Sequence, residues 1–125
     1  MCITAVRGAI ALNESGEEAS QMVRALGELF DSLALTNNFT PDDIVSIQFT
    51  QTSDLKKMNA AAALRAARPE YGGTVLFCSQ EPDVEGSLPR TIRVLVTWRG
   101  NGPATPVYSG AAAALRPDLR SRNGV

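Results

Sequence analysis

From about residue 16 to 36 the apolar side chains fall on one stripe. Ala19, Met22, Val23, Leu26, Leu29, Phe30 and Leu33 recur at steps of three and four, the spacing that puts them on one face of an α-helix. Ser15 and Glu18 have the Ser-x-x-Glu spacing of a capping box, and Asn37 and Asn38 end the run. A long helix with a single apolar face must bury that face. Because the segments around it are rich in β-formers, a sheet is the expected partner.

Those segments predict five strands. Residues 2–12 carry Ile3, Val6, Ile10 and Leu12. In 44–52, Ile47 and Phe49 alternate with Ser46 and Gln48. Residues 74–78 form a short apolar run, 91–98 are strongly β-prone, and Val107-Tyr108 is a last short strand. Thr40-Pro41-Asp42-Asp43 reads as a capped short turn. A second helix is expected over Met58–Ala67, capped by Ser53 or Asp54 and stopped at Pro69. Residues 82–89 read as a polar loop, and Ala111–Leu115 as one helical turn before Pro117. The predicted order is β-α-β-α-β-β-β. This is an α/β (α+β) chain in which one long and one shorter helix cover a mixed sheet. Its sheet edges need cover, and oligomerisation is one way to supply it.

The length of 125 residues fits one domain over 1–125, with a loose tail at 119–125. A formal net charge of −1 argues against a nucleic-acid module. No apolar run reaches the length of a membrane span, and no secretory signal is visible, so the expected setting is cytoplasmic. Cys2 and Cys78, the only two cysteines, cannot make a disulfide framework. There is no histidine, which removes Ser-His-Asp and Cys-His catalysis. With two scattered cysteines the usual zinc sites go too. An enzyme built from this chain works with carboxylates, guanidinium groups, hydroxyls and shape, and no cofactor is expected.

Four charged residues sit where a sheet would not ordinarily place them. Arg7 lies between Val6 and Gly8, Arg93 lies in the middle of Thr91–Val96, Glu81 follows the strand end at Gln80, and Arg116 lies between Leu115 and Pro117. Each alone could simply face solvent. Together they can line one pocket for an anion, with arginines neutralising a dicarboxylate and Glu81 accepting a hydrogen bond from a ligand hydroxyl. Cys78 is three residues from Glu81 and could share the wall.

The block Cys78-Ser79-Gln80-Glu81-Pro82 through Pro89-Arg90-Thr91-Ile92-Arg93-Val94-Leu95 closely resembles the signature of the monofunctional, trimeric α/β-barrel chorismate mutases. So do Arg7-Gly8-Ala9 and Val107-Tyr108 with Leu115-Arg116-Pro117-Asp118-Leu119. The resemblance runs over nearly the whole chain in the right order. It implies a pseudo-α/β-barrel homotrimer with sites between subunits, turning chorismate into prephenate by a Claisen rearrangement without a cofactor. It further implies catalytic roles for Arg93 (at the breaking ether oxygen), Glu81 (at the ring hydroxyl) and Arg7 (at a carboxylate). Cys78, Tyr108, Arg65, Arg116 and Leu115 become substrate contacts.

The chain departs from the family pattern at the pocket mouth. Asn59 stands where an aromatic residue is common, Ala62 where a lysine is common, and Phe77 where a smaller, often polar residue is common. Two other readings follow from the departures: a chorismate mutase-like enzyme for another enolpyruvyl or cyclic dicarboxylate substrate, and a non-catalytic trimer that binds a small carboxylate.

Overall fold

Five strands form one sheet in the order β3-β2-β4-β1-β5. They are β1 (Ile3–Ala11), β2 (Ile44–Gln51), β3 (Leu76–Gln80), β4 (Thr91–Arg99) and β5 (Val107–Ser109). The computed structural model describes residues 2–13 and 16–114. Ser15, Leu115, Arg116 and the expected tail therefore lie outside the described residues. β4 runs antiparallel to both β1 and β2, while β3 joins β2, and β5 joins β1, in parallel. The sheet is mixed, as expected.

Helix α1 (Glu18–Asn37) is the predicted stripe. Met22, Leu26, Phe30 and Leu33 are 0% exposed. Its N-cap is Glu17, whose carboxylate accepts from the backbone N–H groups of Ala19 and Ser20. These bonds hold that carboxyl below the usual carboxylate range. Asn38, in the left-handed conformation, ends the helix. Buried Asn37 ties the helix end to a distant loop by donating to Thr105 O and accepting from Thr105 N. Gly8 lets helix, sheet and β5 meet closely: a Cβ there would lie 3.1 Å from Val107 O and 3.4 Å from Leu33 Cδ1.

The shorter helix α2 spans Ala60–Ala67, two residues later than the sequence suggests, and its cap is Asn59, not Ser53 or Asp54. Both expected caps are engaged elsewhere. Ser53 donates to Asp83, and Asp54 accepts from Thr52 Oγ1 and from the Arg90 backbone N–H. β3 also starts later than expected. Thr74 is held in the preceding turn by Tyr71 O, and the ladder runs from Ile47–Leu76 to Gln51–Gln80.

Both helices contribute to one core. Val6, Ile10, Ile47, Phe49, Ile92, Val94, Val96 and Trp98 supply the sheet side. Strand alternation sends the residues between them to the opposite face. There a small cluster of Ala9, Tyr108 and Ala112, with Leu88 packed on it, covers the β5 side. The rest of that face is open among the described residues, with Ile3, Phe77 and Leu95 exposed.

Tyr71 gives the core a pH dependence. Burial pushes its hydroxyl up to about 12, above the value near 10 of an exposed tyrosine. The unfolded chain therefore releases this proton first, and folding stability falls as pH rises from about 10 toward about 12. Urea midpoints measured on either side of that window are expected to fall less in Tyr71→Phe than in wild type. Equal falls in both would remove Tyr71 as the cause.

Candidate active site

Arg93 sits at the centre of β4, opposite Ala9 on β1 and Thr50 on β2. Register makes Ser79, Thr50, Arg93, Ala9 and Tyr108 one row across all five strands, on the face away from the helices. Glu81 follows the end of β3. Its backbone N–H donates to Gln51 O at 2.8 Å, extending the β2–β3 ladder by one residue and bringing the carboxylate over Thr50. Thr50 Oγ1 donates to Glu81 Oε1 at 2.7 Å, and Arg93 Nε lies 3.0 Å from the same oxygen. One carboxylate oxygen thus takes both groups. Among the described residues Arg93 Nη1 and Nη2 donate no hydrogen bond, and the ion pair to Glu81 is closest through Nε. That leaves the terminal nitrogens of the guanidinium available to a ligand anion.

Arg7 belongs to the next row. It pairs with Leu95, two residues beyond Arg93, so it is Arg93's diagonal neighbour, with backbones about 7–8 Å apart. Its side chain is exposed and has no carboxylate within ion-pair reach among the described residues. Two arginines on one open face, with one carboxylate beside the second, suit an anion bearing a hydroxyl. A cleft of about 230 Å³ lies beside Arg93, with Gln48, Thr50, Phe77, Ser79 and Leu95 among its lining. Tyr108 shares the row but is buried among Ala9 and Ala112.

The remaining expected contacts are elsewhere. Cys78 lies between Phe77 and Ser79 on β3 and faces the helical side, packed against the core with Sγ 3.3 Å from Gln51 Oε1. Gln51 organises this corner. It accepts from Ala60 N and donates to Leu55 O and Met58 O, fixing the segment that leads into α2. A second cleft of about 440 Å³ runs along this edge, lined in part by Gln51, Lys56, Asn59, Cys78 and Gln80. Arg65 is exposed on α2, in the helical layer. A single chain therefore joins Arg93, Glu81 and Arg7 on one face and leaves Cys78 and Arg65 on the other. A cavity of about 530 Å³ between the first turns of α1 and the end of β1 contains none of these residues.

Sequence reasoning passed over Thr50 and Gln51. The alternation that marked Ser46 and Gln48 as polar-face residues continues to Thr50 and was the available signal. Nothing local marks Gln51, whose partners Cys78 and Ala60 come from other elements.

The family model for chorismate mutase type I matches residues 3–119. The chain belongs to that family. It is 31% identical over 125 residues to the chorismate mutase AroH of Bacillus subtilis (strain 168), covering 95% of this chain and 94% of that one. To the AroH of Thermus thermophilus it is 34% identical over 123 residues, covering 95% and 98%. The solved structure of a chorismate mutase from Clostridium thermocellum superimposes with a TM-score of 0.79 at 33% identity, covering 87% of this chain and 96% of that one. Membership makes the chain an isomerase of the chorismate mutase class, and its two-helix, five-strand architecture is the family's.

Proposed function

We propose that the chain rearranges chorismate to prephenate on the open sheet face around the Arg93–Glu81 pair, in a site completed by a neighbouring copy within a homotrimer. The single observation that carries this reading is the pair itself: a guanidinium 3.0 Å from a carboxylate that Thr50 also holds. In the rearrangement one C–O ether bond breaks as one C–C bond forms, with no proton transfer and no covalent link to the protein. That chemistry suits a chain without histidine. What the protein supplies is a compact reactive conformer and compensation for charge. Arg93 stabilises negative charge on the ether oxygen as the bond breaks. Glu81 accepts from the ring hydroxyl. Arg7 and Tyr108 hold a carboxylate, and Arg116 and Leu115 are further substrate contacts.

Three features support completion by a second copy. Cys78 and Arg65 are on the helical side, away from Arg93. β3 and β5 end the sheet with no further strand on them among the described residues. Ile3 and Leu95 are exposed on the uncovered face. We place the enzyme in the cytoplasm, a setting that suits its two free cysteines.

The test is a continuous absorbance assay of chorismate loss, with prephenate identified chromatographically, run beside sedimentation equilibrium. Turnover to prephenate by a species of three times the chain mass is the expected result. Absence of turnover by folded protein would sink the activity. Full activity from a monomer would sink the shared site.

A further inference from the structure

We infer that Phe77 is the apolar wall that selects for the carbon ring of the substrate, facing Arg93 across the cleft. The inference rests on the reading of the open face as the chorismate site and goes beyond it by naming a residue that sets specificity.

Phe77 is 64% exposed, although it is one of only four phenylalanines, and Phe30, Phe39 and Phe49 are all buried. Its position in the register explains where it points. Phe77 pairs with Gln48, which pairs with Leu95, so these three form the row next to Ser79, Thr50 and Arg93 on the same face. β2 therefore floors the cleft with Gln48 and Thr50, while β3 and β4 raise its two walls. With β2 between them, the wall strands are about 10 Å apart, room for one ring between side chains. The β4 wall carries Arg93 with Leu95 beside it, and the β3 wall carries Phe77 and Ser79. One wall thus offers positive charge and the other an aromatic surface. A dicarboxylate built on a six-membered carbon ring presents both of the matching surfaces.

No other aromatic residue is placed for this task at the neighbouring edge. Asn59, the α2 residue at the β3 edge, spends its side-chain oxygen on the Ala61 and Ala62 backbone N–H groups as a helix cap. Tyr108, in the Arg93 row, is 2% exposed.

The contact is a ground-state one, so its loss appears in KM. Phe77→Ala is expected to raise KM for chorismate roughly tenfold or more, in the range for losing an apolar contact in a pocket, with kcat within about twofold. Phe77→Leu, which keeps an apolar wall, is expected to recover most of the loss. Two probes isolate specificity. Inhibition by a cyclohexane dicarboxylate should weaken in Phe77→Ala, whereas inhibition by succinate, which has the charges but no ring, should stay as in wild type. Equal weakening of both inhibitors, or an unchanged KM, overturns the inference. So does a rise in KM that follows loss of assembly in sedimentation, which would make Phe77 an interface residue. Wild-type protein that leaves chorismate unconverted overturns the underlying reading, and this inference with it. Turnover by wild type with an unchanged KM in Phe77→Ala overturns this inference alone.

Discussion

Arg93→Ala is expected to lower kcat by about two to three orders of magnitude while the chain stays folded. The magnitude is that of removing one preorganised group from a site where charge develops, about 3–4 kcal/mol in the barrier. In a pericyclic step that moves no proton, no general acid or base shares the work, so the loss has nowhere to be recovered. The fold should tolerate the change. The Arg93 side chain is 42% exposed and its one ion pair among the described residues is with Glu81; a pair this open is worth about 1 kcal/mol at most. Glu81 keeps its bond from Thr50 Oγ1. Arg93→Lys separates charge from geometry. A lysine ammonium is a point charge without the planar fork, so it is expected to restore part of kcat and little of the directional hold. KM should rise in both variants, because on the proposed reading the Arg93 guanidinium also helps to hold the anionic substrate, but by less than kcat falls. Circular dichroism and sedimentation establish that the variants are folded and assembled. A kcat within threefold of wild type in Arg93→Ala would remove Arg93 from the reacting atoms and favour a chain that only binds carboxylates.

How far the sequence discloses this molecule depends on whether a signal is local. The α1 stripe is local, and Met22, Leu26, Leu29, Phe30 and Leu33 lie buried where the period puts them. The five strands and their order along the chain are local too. The caps were not. Ser53 and Asp54 have the right chemistry to start α2, but Asp83 and Arg90, some 30 residues away, engage them first. Asn59 is left to do it. β3 extends past the apolar run at 74–78 through Ser79 and Gln80, which pair with Thr50 and Gln51.

The site divides the same way. Arg7, Glu81 and Arg93 were visible as charges out of place, and the structure sets them on one face. Which face each residue occupies is a question of register between strands far apart in sequence. That is why Cys78 could be grouped with Glu81 in sequence and yet turn to the helical side. Phe77 could be noted only as a departure from a pattern. Its place across a cleft from Arg93 emerges once β2 is known to lie between β3 and β4.

Phe30→Ala is expected to cost about 3–5 kcal/mol of folding stability, the range for removing a large aromatic from a packed core. Phe30 is 0% exposed in the middle of α1. Its ring centre lies 5.9 Å from that of Phe49 on β2 and 5.3 Å from that of Tyr71, the latter nearly edge-on at 67°. The one side chain therefore joins α1, the sheet and the turn after α2, and no neighbour is free to fill its volume, since Phe49 and Tyr71 are themselves 1% and 4% exposed. Against a total of about 5–15 kcal/mol for a domain, this is a large fraction. Phe30→Leu, which keeps most of the volume, is expected to cost under about 1.5 kcal/mol. Denaturant unfolding at one fixed chain concentration measures both, with concentration held because assembly adds to apparent stability. The expected signature is a lower midpoint with an unchanged slope. Turnover by the fraction of Phe30→Ala still folded in the cold should stay near wild type, because Phe30 lies on the helical side of the sheet and Arg93 on the other. A folded Phe30→Ala with its kcat cut as deeply as that of Arg93→Ala would mean that the two faces are coupled through β2, and that the helical layer sets the position of Thr50 and Glu81.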